Sequence, residues 1–178
     1  AGVEDCALSR VRRETGTYVF PVHRLDRATS GVLLFARDPD VASSLARAFE
    51  TGAVQKRYLA LVRGWLDREG MIDHPLVRDF ERPAAGQPLL GARTAWRRLA
   101  RIECAFAVGS RHPTSRYALV EARPETGRRQ QIRRHFHHAS HPVIGDTTHG
   151  DGAQNRAVAA WLGHSRLWLH ARAITFVH

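Results

Sequence analysis

Residues 116 to 123 alternate with a period of two: Tyr117, Leu119 and Glu121 oppose Ala118, Val120 and Ala122. That period belongs to a β-strand, whose successive side chains point to opposite faces. Other strand-like runs surround it. Arg57 to Val62 is closed by Gly64, and Ala95 to Val108 carries Trp96, Leu99, Ile102, Cys104 and Phe106 in mostly alternating order. Leu167 to Val177 is a long strand candidate, and Val32 to Ala36, bounded by Gly31 and Asp38, reads as a short buried strand. Helical signals are fewer. Asp38 and Pro39 form a cap and first-turn pair ahead of Val41, Leu45, Ala48 and Phe49, one apolar face ending near Gly52. Thr126 is placed to cap a helix over Arg128 to His138, where Ile132 and Phe136 share a face, and a short helix is expected over Arg156 to Leu162. From Met71 to Gly91 the prolines at 75, 83 and 88 predict an irregular excursion. Strands outnumber helices and do not alternate regularly with them. The expected class is α+β, a mostly antiparallel mixed sheet flanked by helices, in a single domain over residues 1–178.

Charge narrows the partners. Lys and Arg total 27 against 17 Asp and Glu, a formal net charge of +10, so a polyanion is expected, either nucleic acid or an anionic membrane. Lys56 is the one lysine, and arginine suits bidentate phosphate contacts and stacking on bases. A membrane partner is disfavoured, because no apolar run approaches the roughly 20 residues that span a bilayer. The N-terminus lacks a signal peptide's charged and apolar regions, and Cys6 and Cys104 form no C-x-x-C pair. A reducing cytoplasm is the simplest setting, with no zinc ribbon or disulfide framework expected.

The chemistry concentrates in His23-Arg24-Leu25-Asp26-Arg27-Ala28-Thr29-Ser30-Gly31. A carboxylate among arginines stays ionised, since nearby positive charge favours its charged form. An ionised, positioned carboxylate is a competent nucleophile toward a sugar carbon. On spacing alone the segment reads equally well as a turn with Asp–Arg surface pairs.

These residues resemble the active-site motif of the RluA family of pseudouridine synthases, H-R-L-D followed by two variable positions and T-S-G. Two further stretches agree in order. Gln55 to Gly64 resembles the family strand K-x-Y-x-A-x-V-x-G, and Thr126 to Arg133 resembles T-G-R-x-H-Q-I-R. Gly145 to Asp151, with Gln154-Asn155-Arg156 and Arg63-Gly64-Trp65-Leu66, is similar to the C subfamily of tRNA pseudouridine synthases, whose target is uridine 65. Two positions depart from the family pattern: Gln130 stands where histidine is usual, and His149 where most members carry tyrosine. The family's N-terminal asparagine-lysine-proline segment and its C-terminal tail are missing, so a catalytic domain truncated at both ends is expected.

The resemblance implies a fold and a set of roles. The fold is the pseudouridine synthase catalytic fold, acting as a monomer on structured RNA, with tRNA the expected substrate and ribosomal RNA the alternative. Asp26 attacks or stabilises the anomeric carbon, Tyr58 stacks on the base and relays its carbon-bound proton, and Arg133 pairs with Asp26. Ile132 forms an apolar floor, Arg24 fills the space the flipped uridine leaves, and Arg27, Arg128, Arg129 and Arg134 contact RNA. The isomerisation involves no redox change or net hydrolysis, so no metal or organic cofactor is expected. A metal hydrolase is the first rival, from His135, His137, His138 and His141, but no carboxylate-bearing metal motif accompanies them. A non-catalytic RNA-binding module is the second.

Overall fold

The structure is a computed structural model and describes residues 6–82 and 86–177. Its elements run in chain order as α1 (Ala7–Thr15), β1 (Phe20–Pro21), β2 (Ser30–Gly31), β3 (Phe35–Ala36), α2 (Pro39–Glu50), β4 (Gln55–Arg63), β5 (Glu69–Asp73), β6 (Leu76–Val77), β7 (Leu89–Leu90), β8 (Arg93–Cys104), β9 (Ser115–Pro124), α3 (Gln131–His138), α4 (Gly152–Leu162) and β10 (Leu169–Thr175). Six strands form one sheet in the order β2-β10-β4-β9-β8-β5. Only the β10–β2 pairing is parallel; the other four are antiparallel. No helix among the described residues is long and apolar enough to cross a membrane.

The alternation in β9 sorts its side chains between two cores. Ala118, Val120 and Ala122 lie with Ala60 and Val62 of β4 beneath Ile132 and Phe136 of α3. Small alanines on this face leave room for the helix to settle close to the sheet. Tyr117 faces the other way and packs with Ile144, Val158 of α4 and Trp168. A third cluster, Val22, Ala36 and Leu45 with Phe49, holds α2 against the β1–β3 ribbon.

Several expectations need correction. The run Val32 to Ala36 is not one buried strand. It crosses from one sheet to another, with Ser30–Gly31 on β10 and Phe35–Ala36 on β1, and Val32 is 42% exposed. Between them the Leu34 amide donates to His23 Nε2 rather than to a strand. Gly31 makes the crossing possible: its φ is +112°, and a Cβ there would overlap the backbone of Ala171. The excursion from Met71 hides β5, which pairs with β8 and places Gly70 opposite Trp96, whose indole occupies the space a side chain would need. Pro83 falls outside the described residues.

Two helix starts also move. The helix after Thr126 begins at Gln131, and its cap position is Gln130, in the left-handed region at φ 53°. Thr126 instead donates its hydroxyl to Gln131 Oε1 at 2.6 Å and accepts the Arg93 amide. α4 begins at Gly152, capped by the Asp151 carboxylate, which accepts from the amides of Ala153 and Gln154. The Asp38 cap stands as expected, accepting from the Asp40 and Val41 amides.

Candidate active site

Four segments far apart in sequence contribute to the wall of one cavity of about 730 Å³: the 22–29 loop, the end of α2, the start of β4, and the turn leading into α3. Asp26, Tyr58, Ile132 and Arg133 all line it, together with Arg24, Arg128 and Arg129. The volume lies in the range that holds a small organic ligand.

Asp26 sits in the loop before β2, about a quarter exposed, and its Oδ2 lies 3.5 Å from Arg133 Nη1. This contact is real but long. The stronger partner of Arg133 is Asp146, which the sequence reading did not single out. Arg133 Nε donates to Asp146 Oδ2 at 2.7 Å and Nη2 to Oδ1 at 2.6 Å, a buried bidentate pair. Asp146 Oδ1 also accepts the amides of Thr148 and His149, each at 2.9 Å. Burial pushes the Asp146 carboxyl up, but the Arg133 hydrogen bonds, the two amides and the Arg133 charge together hold it below the usual aspartate range. Arg133 is thus clamped on one side by Asp146 and presents its remaining nitrogen to Asp26.

Tyr58 rises from β4 on the face covered by α3. Burial, and then the negative charge of Asp26, push its phenol up, so the hydroxyl remains protonated at neutral pH. Lys56, two residues earlier on the same face, lines the cavity and donates to the Thr126 carbonyl, and burial pushes its ammonium down. His23 stacks on Phe49 at 4.6 Å between centroids; burial first, and then the Lys56 charge, push its pKa down. Since His23 Nε2 accepts the Leu34 amide, its ring is neutral with the proton on Nδ1.

The basic residues do not act alike. Arg24 and Arg128 are exposed at the cavity rim, and Arg27 is exposed outside it. Arg129 is tied to Glu81 at 2.6 Å and lies over the Phe80 ring. Arg134 is not among the lining residues; its Nη1 donates to the Val77 carbonyl and its guanidinium lies 5.0 Å from the Phe80 centroid. These contacts tie α3 to β6 and to the Phe80 segment that follows it. The histidine cluster is absorbed in the same way. His135 is fully buried between Thr94 and the His74 carbonyl, His138 stacks on His74, and His141 meets the Arg63 carbonyl.

Gln130 and His149, the two departures from the family pattern, touch each other. His149 Nε2 donates to Gln130 Oε1 at 2.7 Å. Gln131 was also missed and works as a local hub: it is 4% exposed, its Oε1 accepts from Thr126 and the Arg128 amide, and its Nε2 donates to the Arg93 carbonyl and Thr94. It fixes the turn that presents Ile132 and Arg133.

Residues 4–138 match the profile of a family described as RNA pseudouridylate synthase. The chain is 42% identical over 179 residues to tRNA pseudouridine synthase C of Vibrio cholerae, covering 98% of this chain and 73% of that protein. It is 45% identical to the protein of that name from Salmonella typhi, covering 96% and 67%. Among solved structures, Human RNA Pseudouridylate Synthase Domain Containing 1 superposes with a TM-score of 0.78 at 25% identity, covering 98% of this chain and 70% of that one. Human RNA Pseudouridylate Synthase Domain Containing 4 shares the fold, with a TM-score of 0.69. The chain belongs to the RNA pseudouridylate synthase family.

Proposed function

We propose that this chain isomerises uridine to pseudouridine in tRNA, at uridine 65, in the cytoplasm. One observation carries the chemistry: Asp26 and Tyr58 share a single cavity, with the guanidinium of Arg133 lying 3.5 Å behind the Asp26 carboxylate. Family membership supports the reaction, and the names of the bacterial relatives support tRNA as the substrate. A target uridine inside a helix has to leave its stack to enter such a cavity, at a cost of a few kcal/mol.

The proposed roles follow from position. Asp26, with the Arg133 guanidinium behind it, meets the anomeric carbon as the N-glycosidic bond breaks. Tyr58, stacked on the freed base, relays to water the proton lost from the carbon that becomes attached to the sugar, its oxygen accepting that proton as its own hydrogen departs, while the ring nitrogen that left the sugar takes up a proton. Ile132, 6% exposed on the cavity wall, supports the ring without offering it a hydrogen bond while it turns. Arg24 fills the gap left in the RNA helix, and Arg27, Arg128 and Arg129 meet phosphates, Arg129 by exchanging Glu81 for the backbone. Arg134 belongs to this surface only indirectly, through Phe80.

Mass-spectrometric mapping of pseudouridine in tRNA and ribosomal RNA from cells lacking the protein tests this reading. Loss at tRNA position 65 is the expected result. Loss confined to ribosomal RNA contradicts the tRNA assignment.

A further inference from the structure

Asp26 and Thr29 are the two ends of one turn, closed by the Thr29 amide donating to the Asp26 carbonyl at 2.8 Å. The residues just after it are fixed. Ser30 and Gly31 pair with β10, and the Ser30 hydroxyl meets His170 Nδ1 at 2.9 Å and accepts from Arg166 Nη2 at 2.6 Å. The Thr29 hydroxyl is different. Its oxygen is shielded from solvent, and among the described residues it is the one buried side-chain N or O atom without a hydrogen-bond partner. It lines the same cavity as Asp26. Leaving a buried hydroxyl unsatisfied is unfavourable, and such groups in native proteins call for a reason.

On the function proposed above, Asp26 meets the anomeric carbon, which sets the height of the ribose in the cavity. Tyr58 and Ile132 mark the level of the base. A hydroxyl on the Asp26 turn therefore adjoins the ribose and not the ring. Within an RNA strand the 3′ and 5′ oxygens are tied up in phosphodiesters, so the free ribose hydroxyl is the 2′-OH, on the carbon next to the anomeric one. We propose that Thr29 binds the 2′-hydroxyl of the flipped uridine, seating the anomeric carbon against Asp26 and selecting ribose over deoxyribose.

The test compares wild type, Thr29→Val and Thr29→Ser on two tRNA transcripts, one with a ribose and one with a 2′-deoxyribose at the target uridine. Thr29→Val removes the orphan hydroxyl at nearly constant shape. It should leave Tm unchanged or higher, while kcat/KM on the ribose substrate falls about tenfold to a hundredfold, the scale of one lost buried hydrogen bond. Thr29→Ser should retain most activity. Wild type should lose a similar factor on the deoxy substrate, and Thr29→Val should lose nothing further there. An active wild type with an unaffected Thr29→Val overturns the inference alone. So does a Thr29→Val loss that multiplies with the deoxy loss, or one accompanied by a lowered Tm. A wild type that forms no pseudouridine in the ribose transcript overturns the functional reading itself, and this inference with it.

Discussion

Replacing Asp146 by Asn should loosen the fold and the site together. The Asp146 carboxylate is buried and accepts four hydrogen bonds, two from Arg133 and one each from the amides of Thr148 and His149. Asparagine keeps the volume and one acceptor oxygen, but it turns an N–H toward Arg133 and removes the charge that Arg133 faces. Removing one partner of a buried pair costs roughly 3–5 kcal/mol, and a neutral isostere belongs at the low end, about 3 kcal/mol. In a chain of this size about 1 kcal/mol moves Tm by about 2–4 °C, so a fall of roughly 6–12 °C is expected near pH 7. The pH dependence has a definite sign. A carboxyl held below its ordinary value contributes stability that is fully present above about pH 3.9 and lost as pH falls through the lower folded value. The gap between wild type and Asp146→Asn should therefore close on acidification below that point. Calorimetric melts across pH supply the assay, with single-turnover kinetics alongside. Freed from its clamp, Arg133 should let kcat fall more than KM rises. A Tm within about 2 °C of wild type at pH 7, or a gap that persists unchanged in acid, would refute this account of Arg133.

Gly31→Ala should force β2 away from β10, because its Cβ overlaps the Ala171 backbone at a φ of +112°. A loss of at least about 1–3 kcal/mol in thermal or denaturant melts is expected, with turnover falling as the Asp26 turn shifts. The Gln130–His149 contact should appear in a double-mutant cycle with alanine as a coupling of about 1 kcal/mol in stability; additivity would show the contact contributes nothing. Tyr58→Phe keeps the ring but removes the hydroxyl, so RNA binding should persist while turnover falls about 10²–10⁴-fold. Because burial and then Asp26 push the Tyr58 phenol up, no tyrosine ionisation should shape the wild-type rate profile below about pH 10.

Much of the architecture was legible in the chain itself, for reasons that differ by element. β9 was readable because it carries a different core on each face, so its alternation is strict. α2 was readable because Asp38, Pro39 and the apolar stripe all agree. Val32 to Ala36 misled because a short apolar run says nothing about its partners; its backbone is divided between two sheets. β5 was hidden by Gly70, which weakens the strand pattern while making room for Trp96. In the site, the meeting of Asp26, Tyr58, Ile132 and Arg133 was visible in the order of three contiguous motifs. The Arg133–Asp146 pair was not, since the partners are separated by the rest of α3 and a loop whose path no spacing rule dictates. The fates of Thr126 and Arg134 were hidden for a similar reason. Each bonds to a strand distant in sequence, Thr126 to the Arg93 amide at the start of β8 and Arg134 to the Val77 carbonyl of β6, so local capping and charge patterns could not settle them.

The central claim is that Asp26 performs the chemistry inside this cavity. Tritium release from a tRNA transcript labelled at C5 of uridine, measured for wild type and Asp26→Asn at matched RNA occupancy, tests it most directly. Wild type should release label and form pseudouridine at position 65, while Asp26→Asn binds the transcript with similar affinity and releases none. Release by Asp26→Asn at a rate near wild type would contradict the account.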